Sequence, residues 1–296
     1  MLGGDEVTVG IGVLCQHAVT AIIVSDMRAS YPKSAVDPND LAGKQWDMDF
    51  PSPVVACVAG KLGLCQPVVD ELSNQLSKLP FDKGVHCEHV ENAINHARFR
   101  TFRRYADWSL KMSYGLTLRE WQRGKVPGGE MNKLVHDEVR KFLDNLSFEV
   151  ALVIAGYLPD NNLLFYRAVG KYHIEASSSP GIYVIGTGGR LAMNHLNKRG
   201  QHTDCSLPRT LLHLSEALDE ARKALDKSVG KPQAFTIMWR DGRIARFPAE
   251  VQLLKDWKKS YKKRQSTASL DSSVVAQEQI RCLLLKHAIK RSTVQT

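Results

Sequence analysis

Apolar β-rich runs in this chain come in close pairs, with helical patterns in sequential pairs between them, and few folds can bury both. Residues 7–15 (VTVGIGVLC) and 19–25 (VTAIIVS) are separated only by Gln16-His17-Ala18. They read as an antiparallel hairpin buried on at least one face. Residues 54–58 (VVACV), closed by Ala59-Gly60, make a further strand. Residues 62–79 carry Leu64, Val68, Leu72 and Leu76 at a spacing of four, the stripe of an amphipathic helix. Helices follow at about 90–112, which is basic and includes ARFRTFRRY, and at about 130–146, with RGKVPGG as a loop between them. Strands then recur at 150–155, 163–168 and 182–185, the first two joined by an Asp160-Asn161-Asn162 turn. Helices at 190–198 and 208–227 come next, the second with Pro208 in its first turn and Ser206 as a cap. A hairpin at 235–239 and 243–247 closes around Arg240-Asp241-Gly242. Hairpins alternating with helix pairs imply antiparallel sheets covered by helices rather than βαβ units. The fold class expected is α+β, a four-layer αββα sandwich of two antiparallel sheets between helix layers.

Charge narrows the function classes. The 296 residues hold 40 Lys and Arg against 31 Asp and Glu. Ten of those bases but only three of the acids lie in residues 255–296, which leaves 30 against 28 elsewhere. The body is nearly neutral, which argues against a nucleic-acid-binding body and leaves the tail as the electrostatic candidate. Within the tail, KDWKKSYKKR from Lys255 reads as a solvated helix end or linker, QSTASLDSS as polar chain, and residues 274–289 as a docking helix for a partner subunit. No run of 18 or more apolar residues occurs, so a membrane span is not expected. MLGGDEVTVG carries acids and glycines where a secretory signal would be basic and then apolar, so a cytoplasmic location is expected. The six cysteines form no CxxC pair and read as free thiols rather than metal ligands.

Six short segments in order carry a resemblance. They are Thr8-Val9-Gly10-Ile11-Gly12, Asp26-Met27-Arg28-Ala29-Ser30, Val58-Ala59-Gly60, Ile154-Ala155-Gly156, Gly186-Thr187-Gly188-Gly189 and Asp226-Lys227-Ser228-Val229-Gly230. With the closing hairpin FTIMWRDGRIARFP, over residues 8–250, they resemble a proteasome β-type subunit or bacterial proteasome homologue of the N-terminal-nucleophile hydrolase superfamily. The resemblance implies a threonine-type endopeptidase that needs no cofactor and no metal. In that chemistry the first residue supplies the nucleophile and its own α-amine is the base, with an ordinary pKa near ~8. A buried lysine favours deprotonation of the hydroxyl, an aspartate keeps the lysine charged, and a backbone N–H receives the oxyanion. Carried over, Thr8 is the nucleophile, Asp26 the partner of Lys44, and Gly60 the oxyanion donor, while Thr187 and Asp226 orient the amine.

The residues also admit other readings. Counting back from Asp26 without a gap puts Gly10 at the nucleophile position. Aligning from Gly12 through Ala18-Val19 recovers Thr8 with two extra residues in the second strand, a change that preserves which side chains share a face. Lys44 reads equally as an exposed loop lysine and Asp226 as a solvated acid. Thr187 reads equally as a helix cap and Gly60 as a helix-start glycine. Seven residues precede Thr8, and the last is Val7, where self-processing members of the family carry Gly. Val229 stands where the family has serine. The rival reading is a catalytically inactive subunit with a structural or assembly role.

The resemblance further implies a homo-oligomer, a ring or double ring, that takes peptide or unfolded-protein substrates and accepts an ATPase partner. Membrane and nucleic-acid partners are not expected. Arg98, Arg100, Arg103 and Arg104 would face a neighbouring subunit or a channel. The domain division expected is an extension or propeptide at 1–7, the sandwich at 8–250 and a basic C-terminal extension at 251–296.

Overall fold

The computed structural model describes residues 9–26, 44–48, 50–80, 84–126, 129–171, 173–176, 180–224, 233–248, 252–262 and 274–289. The apolar N-terminal runs form β1 (Gly10–Cys15) and β2 (Thr20–Asp26), paired without a bulge from Gly10–Ser25 to Cys15–Thr20. At the tip Gln16, His17 and Ala18 have φ of 53°, 56° and 61°, a left-handed conformation that costs L-residues about 1–2 kcal/mol each. Neighbouring groups hold it there. Gln16 N donates to Cys205 O at 3.0 Å, His17 N to Thr203 O at 2.8 Å, and the Tyr157 hydroxyl to Ala18 O at 3.2 Å.

The chain continues through β3 (Gln45–Asp47), β4 (Val54–Gly60), α1 (Leu62–Leu76) and α2 (Cys87–Tyr114). A satellite of α3 (Leu118–Gln122), β5 (Lys125–Val126), β6 (Gly129–Glu130) and α4 (Lys133–Asn145) packs around Leu110, Leu116 and Val139. Then come β7 (Val150–Tyr157), β8 (Leu163–Val169), β9 (His173–Ala176), β10 (Ile182–Ile185), α5 (Gly189–Lys198) and α6 (Leu207–Ala224). The described elements end with β11 (Gln233–Trp239), β12 (Ile244–Pro248), α7 (Gln252–Lys262), α8 (Val274–His287) and β13 (Ala288–Ile289).

Two antiparallel sheets result, in the orders β10-β1-β2-β11-β12-β13 and β3-β4-β7-β8-β9. Period-two alternation sorts their side chains. Ile11, Val13, Ile22 and Val24 face the core shared with Leu211 and Leu218 of α6, whereas Leu14, Ala21 and Ile23 face Val55, Cys57, Val153 and Phe165 of the other sheet. Ala56, Val58, Leu152 and Ile154 turn to Val68 and Leu72 of α1 and Ile94 and Ala97 of α2. Each sheet thus has helices on its outer face and the other sheet on its inner face. Gly10 and Gly12 let the sheets approach. A Cβ at Gly10 would lie 2.7 Å from Cys57 Sγ, and one at Gly12 would lie 2.5 Å from Val153 Cγ1.

Two basic segments differ from their sequence readings. In α7, Leu254 and Trp257 are buried in the α6 core while Lys255 and Lys259 point outward, so the segment closes the core rather than linking away from it. Ala276 and Ile280 of α8 join the same core, and Trp257 Nε1 donates to Gln279 Oε1 at 3.0 Å. The arginines of α2 divide. Arg98 is fully buried and donates to Val169 O at 2.8 Å, His173 O at 3.1 Å and Gly170 O, fastening the β8–β9 turn to α2. Burial pulls its guanidinium down to about 10, so it is still charged at neutral pH. Arg100 instead pairs with Glu71 at 2.8 Å.

Candidate functional site

Asp26 ends β2 and is fully buried, so its carboxylate requires partners. Two of them meet at one oxygen. Lys44 Nζ donates to Oδ1 at 3.1 Å, and the Val9 amide donates to the same Oδ1 at 3.1 Å. The Asp26 amide returns a bond to Val9 O at 3.1 Å, so these two residues stand opposite each other at the open end of the hairpin. Lys44 is no exposed loop lysine. Its side chain is 5% accessible and that of Asp26 0%. The Val58 amide donates to Lys44 O at 3.1 Å, which anchors the backbone of Lys44 beside β4.

Gly60 lies two residues beyond Val58, at the end of β4. Its φ is 126°, and a Cβ there would overlap the Glu149 carbonyl oxygen, so only glycine fits. The next amide, Lys61 N, donates to Glu149 O at 3.1 Å, and the chain then enters α1. On the other side of β1, Ile185 pairs with Gly10, and Thr187 follows two residues later, exposed, in the turn before α5. Thr187 does not cap that helix, because the N-cap position is Gly188 and no side-chain bond is made there. The structure therefore brings Asp26 and Lys44 into contact, with Gly60 two residues past the Val58 amide that binds Lys44 O and Thr187 two residues past the end of β10, the strand beside β1. Thr8 and Asp226 lie outside the described residues. Gly10, the other position reached by counting from Asp26, is the buried first residue of β1, paired with Ser25 of β2 and Ile185 of β10.

The nearby Cys57 thiol is pushed up to about 12, first by burial and then by the Asp26 charge, so it holds its proton at neutral pH. Sequence reading missed Gln45. Its Nε2 donates to Ser25 Oγ and to Ala234 O, each at 2.9 Å, and its Oε1 accepts from Thr236 Oγ1 at 2.5 Å. An isolated glutamine in a polar stretch gives no periodic signal that would have marked it.

No family model and no curated protein matches the chain. Solved structures do, and they define a proteasome-like fold. Anbu from Hyphomicrobium sp. strain MC1 is 12% identical with a TM-score of 0.56, and a Gly-1 mutant from the same strain is 13% identical with a TM-score of 0.57. Anbu (ancestral β-subunit) from Yersinia bercovieri is 10% identical with a TM-score of 0.58. Each likeness covers 97% of this chain and 100% of the other.

These neighbours correct the resemblance to a proteasome β-type subunit or bacterial proteasome homologue. The structures matched are Anbu proteins at low identity, and the chain is not a clear proteasome β subunit. The physical reason lies in the motifs themselves. Gly60 at φ 126° and Gly186 at φ 82° are demanded by strand ends and turns, so they follow the architecture and do not single out one family within it. None of the described helices is long and apolar enough to cross a membrane.

Proposed function

We propose that this chain is a proteasome-like hydrolase that cuts peptide bonds through Thr8 once residues 1–7 are removed. The supporting observation is the single Asp26 oxygen that accepts from both Lys44 and the Val9 amide. Thr8 is joined by its peptide bond to that Val9 nitrogen, which donates to the same carboxylate oxygen as the buried ammonium. On this reading the freed α-amine of Thr8 takes the hydroxyl proton, and Lys44, kept charged by Asp26, stabilises the developing alkoxide. The oxygen adds to the substrate carbonyl, the Gly60 amide receives the oxyanion, and the amine returns its proton to the leaving nitrogen. Water then releases the acyl group by the same steps in reverse. Thr187 and Asp226 hold the amine.

The subunits work as a homo-oligomeric ring or double ring on peptides or unfolded chains, with an ATPase as candidate partner. Residues 1–7 are the propeptide, 8–250 the catalytic sandwich and 251–296 its C-terminal extension.

The test is intact mass followed by labelling. Loss of MLGGDEV, leaving Thr8 at the N-terminus, should accompany reaction with a peptide epoxyketone, which needs a hydroxyl and a free amine on one residue. Thr8→Ala should abolish the adduct and Lys44→Ala should weaken it strongly. Val7 and Val229 favour the rival reading of an inactive assembly subunit. A chain that assembles with residues 1–7 retained and stays unlabelled would establish that rival.

A further inference from the structure

We infer that Gln45 is a positioning residue for Lys44, holding the ammonium at Asp26 by tying β3 across to the other sheet. β3 is an edge strand of three residues paired with β4 alone, too short for strand pairing by itself to define its place closely. Gln45 is only 3% exposed. Its amide reaches two strands of the opposite sheet, with Nε2 forked onto Ser25 Oγ of β2 and Ala234 O of β11, and Oε1 held by Thr236 of β11. Ser25 is the residue before Asp26, and Ala234 is its register partner. The fork therefore grips the segment that carries the carboxylate.

A second fastening lies at the other end of β3. Arg246 of β12 donates from Nε to Thr236 Oγ1 at 3.2 Å and forks onto the Asp47 carboxylate at 3.0 and 2.5 Å. β3 is thus tied at both ends to the sheet that holds Asp26, and Lys44 precedes its first residue. The chemistry is directional. A buried amide whose donor and acceptor ends are both engaged cannot shift without leaving polar groups unpaired. An apolar side chain of similar size would fill the volume and permit sliding. Gln45 touches no reacting atom and acts only through Lys44. Its catalytic consequence rests on the activity proposed above, but its hold on Lys44 does not.

The experiment keeps these two apart. Gln45→Met replaces the amide by an apolar group of similar length, and Thr236→Val removes the hydroxyl that donates to Oε1 and accepts from Arg246, loosening the fork and one bond of the second fastening. In the full chain, reductive methylation with formaldehyde and cyanoborohydride, read by peptide mass, should spare Lys44 and modify it several-fold faster in both variants. Lys61, which is exposed, should react equally in all three proteins. In the chain beginning at Thr8, the maximal rate of epoxyketone labelling should fall by about 10- to 100-fold, the cost of a misplacement near 1 Å, with the half-saturating concentration unchanged. Lys44 protected alike in the wild type and in the variants that fold would overturn the inference, whatever their melting temperatures. Should Gln45→Met not fold, Thr236→Val decides alone by the same criterion. A wild-type chain that never labels, yet whose Lys44 protection depends on Gln45, would refute the proposed activity and leave the positioning role standing.

Discussion

Removing the charge of Lys44 should damage the fold more than removing the whole ion pair. At 3.1 Å and an effective dielectric near ~20, the attraction is about 5 kcal/mol. Desolvation of two nearly inaccessible groups opposes it, so the intact pair contributes little net stability. Lys44→Met leaves Asp26 buried with its charge uncompensated by that ammonium, a change that costs about 3–5 kcal/mol. For a chain of this size that corresponds to a drop of roughly 5–8 °C in Tm. The double variant Lys44→Met/Asp26→Asn removes both charges and keeps an acceptor for the Val9 amide. It should therefore recover about 2–3 kcal/mol relative to the sum of the single variants. Urea unfolding at pH 7, followed by circular dichroism, measures all three. A Lys44→Met cost under about 1 kcal/mol would refute the reasoning, as would a double variant that simply adds the two single effects.

Burial, and then the Arg209 charge, pull the His213 imidazole down to about 3. The folded protein keeps it neutral while the unfolded chain takes up a proton below about 6.5, so its stabilisation is complete above that pH. It is lost toward pH 3 at about 1.4 kcal/mol per unit. His213→Gln should flatten the pH dependence of the urea midpoint between pH 6.5 and 4.5, and an unchanged slope would contradict the assignment. Gly60→Ala, which needs φ 126° and overlaps Glu149 O, should yield protein that unfolds or aggregates. Gly63→Ala, exposed in α1 with nothing near its Cβ, should raise stability by up to about 1 kcal/mol. Iodoacetamide at pH 8 should modify exposed Cys282 first. Cys15 and Cys57, each pushed up to about 12 mainly by burial, should react only on unfolding, as peptide mapping would show.

The hairpins were legible because apolar β-rich runs of six or seven residues on either side of a short separator are a strong local signal, as in residues 10–15 and 20–26. So was the start of α6, where Arg209 N donates to Ser206 Oγ at 3.4 Å. The short elements β3, β5, β6, β9, β13 and α3 carry too little periodicity to be read, whereas β10 and β12, hardly longer, were marked by the turn residues beside them. The site was legible in part. Asp26 follows an apolar run and announces a buried carboxylate, but nothing local separates a buried Lys44 from an exposed one. Its burial is made by β2 and β4, distant in sequence. Arg98 and Arg100 pose the same problem, since only the β8–β9 turn, more than 70 residues away, makes the first an inward clamp.

Gly10 and Gly12 amount to a gauge for the start of the chain. A slide of β1 by two residues keeps every side chain on its own face. In one direction it would put the Thr8 side chain at the Gly10 position, 2.7 Å from Cys57 Sγ at its Cβ, and in the other it would put Leu14 at the Gly12 position, 2.5 Å from Val153 Cγ1. Both neighbouring registers collide with the facing sheet. The residue that precedes Val9 is therefore metered from the interior of the sandwich, not from the N-terminus. Segments of any length could be grafted ahead of Thr8, or trimmed back to it, without changing which backbone amide donates to Asp26. A single residue inserted between Val9 and Gly12 would change it.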